Sequence, residues 1–294
     1  MDEAKGGTAG GGHPTGHPTN APPGFRGLDP NQRVRIYSRH LPHWRQDGAT
    51  YFVTFRLADS LPEAKLIEIK NLRAWWQHTH PEPRSEKGWE DHAREVTRRT
   101  EAWLDHGHGA CYFREPRWAN DLRDRLHHFQ NERYHLACWV IMPNHCHLVI
   151  RPFDGHDLED LIGGMKSVTA RHITAELKQP GDLWEQEAYD RIIRDTEHLH
   201  RVVQYIGRNP GQAGLPQSAW FRWIDPTWQE SGWDFKSLTA RRMAALGRPV
   251  FACVHIEEDG RGRPSSIPFW SIGAATSTEV ALPLTKGRST RSVC

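Results

Sequence analysis

The chain has 294 residues, enough to bury a core in one large domain or two small ones without disulfide staples. Its 38 Lys and Arg against 36 Asp and Glu leave a formal charge of +2, too balanced to argue nucleic-acid binding from net charge, so any basic surface must be local. The five cysteines are odd in number and scattered, with no Cys-x-x-Cys pair, which argues against a disulfide framework and a thiolate zinc site. No window approaches the roughly 18 apolar residues of a membrane span, so a soluble protein of the reducing cytoplasm is expected.

Residues 1–30, led by GGTAGGGHPTGHPTNAPPG, cannot bury enough apolar surface to offset backbone entropy and read as a disordered tail. The β-branched and aromatic run TYFVTFRL at 50–57 predicts the first strand, closed by Asp59-Ser60-Leu61-Pro62. Apolar positions at helical spacing predict a helix over 63–78, a polar charge-mixed helix follows over 86–106, and a third over 117–131 lines up Trp118, Leu122, Leu126 and Phe129. A strand pair follows, Tyr134–Met142 and His145–Arg151, turning at Pro143-Asn144. Residues 157–177 predict a helix with a weak point at Gly163-Gly164, and Leu183–Ile193 an extended segment returning to the sheet. A helix capped by Asp195 or Thr196 runs to about Gly207 and stops before Asn209-Pro210. The order implies an α+β fold with an antiparallel sheet and helices on one face. Residues 217–270 form a Trp-rich extension without a clear pattern, and 271–294 a second disordered tail.

The run WVIMPNHCHLVI places His145 and His147 two residues apart in an apolar strand, hence on the same face. Two neutral imidazoles side by side can grip a divalent metal, whereas burying them without a shared partner costs free energy at each. The helix over 197–209 has an apolar face of Leu199, Val202, Val203 and Ile206, and a polar one on which His198, Arg201, Tyr205 and Asn209 recur every three or four residues. A Tyr with an Asn four residues on presents a phenol and an amide oxygen to one point, and that point can be the metal of the histidine pair. An open N/O site of this kind suits Mg²⁺ or Mn²⁺ acting as a Lewis acid rather than a closed structural zinc. A tyrosine hydroxyl, with a pKa of about 10, attacks phosphorus when a metal polarises the phosphoryl oxygens, which points to phosphoryl transfer.

With TYFVTFRLADSLP, WVIMPNHCHLVI, LWEQEAYDRIIRD and QYIGRNPGQAGL, the chain over about 35–216 resembles the HUH tyrosine nucleases, and within them the REP-associated (RAYT) single-strand transposases. His145-Cys146-His147 stands for the His-hydrophobic-His signature, Cys146 serving as a small hydrophobe. The resemblance implies a ferredoxin-like core over 31–216 with the catalytic Tyr on a following helix, and a homodimer in some relatives. It further implies Tyr205 as nucleophile, a metal held by His145, His147 and Asn209, and cutting and rejoining of single-stranded or hairpin DNA through a 5′-phosphotyrosine bond. Tyr189 is the competing nucleophile. The helical insertion near 80–115 and everything after 216 receive no role from it. DNA contacts are expected from Arg33, Arg35, Arg39, Lys166, Arg171, Arg191, Arg194, Arg201 and Arg208. Two other readings stand beside the enzyme: a domesticated protein that binds DNA hairpins without rejoining strands, and a zinc-stabilised structural domain that unfolds with chelator.

Overall fold

The computed structural model describes residue 18 and residues 20–38, 42–82, 85–178 and 181–236. In chain order it contains strands β1 (Arg35–Ser38), β2 (Pro42–Arg45) and β3 (Tyr51–Arg56), and helices α1 (Glu63–Thr79), α2 (Glu86–Leu104) and α3 (Pro116–His127). Strands β4 (Tyr134–Ile141) and β5 (His145–Pro152) follow, then α4 (Leu158–Leu177), β6 (Tyr189–Ile192), α5 (Thr196–Gln212), β7 (Phe221–Ile224) and α6 (Pro226–Glu230). Among the described residues no helix is long and apolar enough to cross a membrane.

The five-stranded sheet runs β6-β3-β5-β4-β7 with every neighbouring pair antiparallel. Alternation along the strands makes two cores. Tyr51, Val53 and Phe55 of β3 and Cys146, Leu148 and Ile150 of β5 face α3 and α4, where Trp118, Leu122, Leu126, Leu161, Ile162 and Ile173 cover them. Phe52 and Val149 face the other way, onto Leu199, Val202, Val203 and Ile206 of α5 and onto Trp220, Trp228 and Trp233. The two helices of the expected core thus share one face, and the following helix that carries Tyr205 closes the opposite one. A bulge between Leu136 and Cys138 puts Ala137 and Cys138 on the α5 side together and restores the alternation beyond them.

Several elements depart from the expectation. Helix α5 does not stop before Asn209-Pro210 but runs through Pro210 to Gln212. The proline falls in the final turn and is buried, and the end is closed by Ala213 donating to the Asn209 carbonyl at 3.0 Å and Leu215 to that of Pro210 at 3.0 Å. Helix α4 passes unbroken through Gly163 and Gly164, whose positions would admit a Cβ without contact. The short pair β1–β2 carries no strong alternation in RIYS or PHWR and was not expected; it is fixed from outside its own sequence by buried ion pairs of His43 and Arg45 with Asp190 of β6.

Residues 20–30, read from composition as the end of a loose leader, pack on the core instead. Trp233 and Trp228 donate to the carbonyls of Asn20 and Pro23 at 3.0 and 2.8 Å, and the Leu28 amide donates to Ile193 at 3.1 Å. The Trp-rich segment after 216 extends the sheet through β7 and fills the second core with Trp228 and Trp233. The earlier part of the leader, residues 237–270 of the extension and the tail at 271–294 lie outside the described residues.

Candidate active site

Strand pairing sets the first half of the site. His147 lies opposite Thr54 of β3, and the Thr54 hydroxyl meets His147 Nδ1 at 2.7 Å. His145 Nδ1 meets Asn144 Oδ1 at 2.8 Å, while Asn144 Nδ2 is anchored on the His108 carbonyl at 3.0 Å. With both Nδ1 atoms engaged, both Nε2 atoms are directed away from the strand backbone, and the rings stand 4.7 Å apart at 77°.

Helix α5 supplies the second half. The Tyr205 hydroxyl lies 3.4 Å from His147 Nε2, and its ring stands edge-on to Phe52, which stacks on His147 at 5.6 Å. Because α5 continues through Pro210, Asn209 falls one turn beyond Tyr205 on the same helix, beside both His145 and Tyr205. Its Oδ1 is buried without a well-formed hydrogen bond among the described residues. From the insertion, the half-buried Glu101 of α2 comes beside the Tyr205 hydroxyl.

Burial dominates the electrostatics. It drives the His145 pKa down to about 3, against the influence of the nearby Asn209 amide, and holds His147 well below its usual range with help from His145. Both rings are therefore neutral and carry free lone pairs. Burial, then the carboxylates of Glu101 and Asp105, raises the Tyr205 hydroxyl well above 10, so it rests protonated. Burial and Asp105 bring Glu101 up to about 7 against the pull of Tyr205. Two neutral imidazole nitrogens and an unsatisfied amide oxygen around one point fit a divalent cation. Among the described residues no group of three or more His, Cys, Asp and Glu side chains forms a metal site, so a site here depends on the amide of Asn209.

Tyr189 sits on β6 opposite Thr54, with its ring edge-on to Phe52 at 6.3 Å and its hydroxyl turned to Thr97. Both tyrosines thus lie on the imidazole face of the sheet, and Tyr205 is the one that reaches an imidazole. Arg191, Arg194 and Arg201 gather around His198, whose pKa falls to about 4 through burial and then their charges. Arg208 is half-buried on α5. Lys166 and Arg171 belong to α4 on the other face, where the Lys166 ammonium donates to the carbonyls of Glu185 and Gln186 at 2.8 and 3.0 Å. Arg33 and Arg35 are exposed, the latter pairing with Asp47 at 3.5 Å, and Arg39 lies outside the described residues. The residue that sequence reading missed is Glu101. Its helix reads as a solvated charge-mixed face, and nothing in its spacing marks a carboxylate that folds back on a tyrosine a hundred residues later.

An antiparallel sheet that presents a His-x-His pair to a tyrosine-bearing helix is the arrangement that the resemblance to the HUH transposases implies. Residues 111–209, from just before α3 through Asn209, match the family model described as Transposase IS200 like. A solved structure of a REP-associated tyrosine transposase bound to a REP hairpin is similar at 17% identity over 77% of this chain and 96% of that one, with a TM-score of 0.34, a likeness too loose to bear on function. No curated protein matches.

Proposed function

We propose that the protein is a metal-dependent tyrosine transposase that cuts and rejoins single-stranded or hairpin DNA through a covalent bond to Tyr205. The observation that carries this reading is the Tyr205 hydroxyl 3.4 Å from His147 Nε2, with the unsatisfied Asn209 Oδ1 one helical turn away. His145, His147 and Asn209 would hold Mg²⁺ or Mn²⁺, which supplies Lewis-acid polarisation of a phosphoryl oxygen. Asn144 Oδ1 can only accept, so it sets the proton on His145 Nδ1 and leaves the Nε2 lone pair of that ring, while Thr54 holds the His147 ring through Nδ1.

Tyr205 Oη attacks phosphorus as its proton passes to the neighbouring Glu101 carboxylate. The bond from phosphorus to the 3′ oxygen breaks, leaving a 5′-phosphotyrosine and a 3′-hydroxyl that takes up a proton. Attack by another 3′-hydroxyl reverses the step, and no ATP is needed because the phosphodiester energy is conserved in the tyrosyl ester. Arg191, Arg194, Arg201 and Arg208 would receive backbone phosphates along α5, and a second copy of the chain and a cytoplasmic setting complete the proposal.

The test is to incubate purified protein and Mn²⁺ with labelled single-stranded hairpins from the DNA flanking its gene. A covalent adduct that disappears in Tyr205→Phe and persists in Tyr189→Phe supports the reading. The reverse pattern assigns the nucleophile to Tyr189, and hairpin binding without any adduct leaves a DNA-binding protein only.

A further inference from the structure

Helices α1 and α2 have no part in the family match, which begins after them at Cys111. They have a small core of their own, Leu61, Ile69, Val96 and Leu104, and Trp76 stacks on His92 at 4.3 Å. Between this hairpin and the β3–β6 side of the sheet lies a cleft of about 540 Å³. Thr54, Tyr189 and Glu101 reach into its lining. Thr54 bonds His147 and Glu101 stands beside Tyr205, so the cleft leads toward the Tyr205 hydroxyl.

The charges along the cleft are unevenly matched. Arg56 pairs with Glu185 at 2.7 Å, and Glu187 pairs with His43 at 2.6 Å, so these carboxylates already face cations. Lys70 and Arg73, one turn apart on α1, have no ion pair among the described residues; Arg73 feels Glu187 and Glu185 only through space. The Arg73 Nε is buried without a hydrogen-bond partner, and its guanidinium stands near enough to Arg56 to repel it. An unmet donor beside two converging guanidiniums is satisfied by an anion placed between them. Leu66 and Val96 add apolar wall and Thr97 and Thr100 hydroxyls, the mixture that a base and its backbone require. A cleft of this volume has room for a short unpaired segment.

We propose that the cleft under α1 and α2 is the track for the unpaired DNA strand leading to the scissile phosphate, with Lys70 and Arg73 each receiving a backbone phosphate. This rests on Tyr205 being the place where the chemistry occurs. The full-length protein is titrated into labelled oligothymidine, and separately into a duplex of the same length, over a range of salt, with anisotropy as readout. For Lys70→Ala/Arg73→Ala the expected result is at least tenfold weaker binding of oligothymidine and a salt slope shallower by about 1.4, at roughly 0.7 per lost single-strand phosphate contact. Duplex affinity is expected to stay as in the wild type. Unchanged affinity and slope, or an equal loss on both probes, overturns the proposal. Should a thermal melt show the double variant unfolded, Lys70→Glu on its exposed side chain makes the same comparison, and wild-type oligothymidine binding by it is equally fatal. Because the readout is binding, absence of any covalent adduct defeats the proposed strand-transfer reaction and leaves this result intact; adduct formation with an unaltered salt response in the variants defeats the track alone.

Discussion

At the scale of residues, the site depends on neutral imidazoles, and neutrality follows from where the rings lie. His145 and His147 are buried against Phe52 and α5 in a medium that penalises charge, and Asn144 and Thr54 hold each ring through its Nδ1. His145→Ala and His147→Ala are therefore each expected to abolish adduct formation while circular dichroism and the melting curve stay cooperative. A collapse of the fold in both would instead make the pair structural. Glu101→Gln keeps the shape and removes the proton acceptor, and a loss of about 10²–10⁴ in the rate of adduct formation is expected in single-turnover assays with DNA affinity retained. A wild-type rate would strike Glu101 from the mechanism. The histidine pair and the Tyr-to-Asn spacing were legible because each is a local pattern: two residues on one strand face, four along one helix. Glu101 was not, since its role comes from a tertiary approach to Tyr205, a residue far along the chain, that no spacing within α2 records.

At the scale of elements, α5 is held to the sheet by close packing that can be probed at one glycine. A Cβ at Gly207 would stand 2.8 Å from the Phe235 side chain, within the Cβ and ring atoms of a packed residue. Gly207→Ala should thus lower stability by about 1–3 kcal/mol in denaturant unfolding, although alanine is the better helix former; a gain would show that Phe235 yields freely. The β1–β2 pair offers a pH test. Burial opposes the charge on His43, but Asp190 and Glu187, each at 2.6 Å, outweigh it and hold the pKa at about 9 against an ordinary 6.5. A raised folded-state pKa contributes stability that is full below about pH 6.5 and is lost as pH rises through about 9. The melting temperature should accordingly fall across that window, and His43→Gln should flatten the fall; an equal slope in both would place the titration elsewhere. The strands β3 to β6 and helices α1 to α5 followed from periodicity, whereas β1–β2 and the far end of α5 did not. The former is stabilised by Arg45 and His43 pairing across more than a hundred residues with Asp190, and the latter by burial of Pro210, so tertiary contacts overrule local preference in both.

At the scale of the whole molecule, a nearly neutral chain must concentrate its cations locally to act on DNA as proposed, and Arg191, Arg194 and Arg201 gather around His198. The arginines near His198 come from two elements, β6 and α5 with the turn between them, so their grouping was open to inference only as a set of basic residues near the tyrosine. Composition misjudged the segments flanking the core: residues 20–30 and the Trp-rich stretch to 236 close the second core together through Trp228 and Trp233. The central claim, a metal-assisted covalent bond between Tyr205 and DNA, is tested most directly by peptide mass spectrometry of the protein after reaction with hairpin DNA and Mn²⁺, with and without chelator. A nucleotide remnant is expected on the peptide containing Tyr205, absent when the metal is chelated although the melting curve is unchanged. A remnant on another residue, or one that forms equally well in chelator, would contradict it.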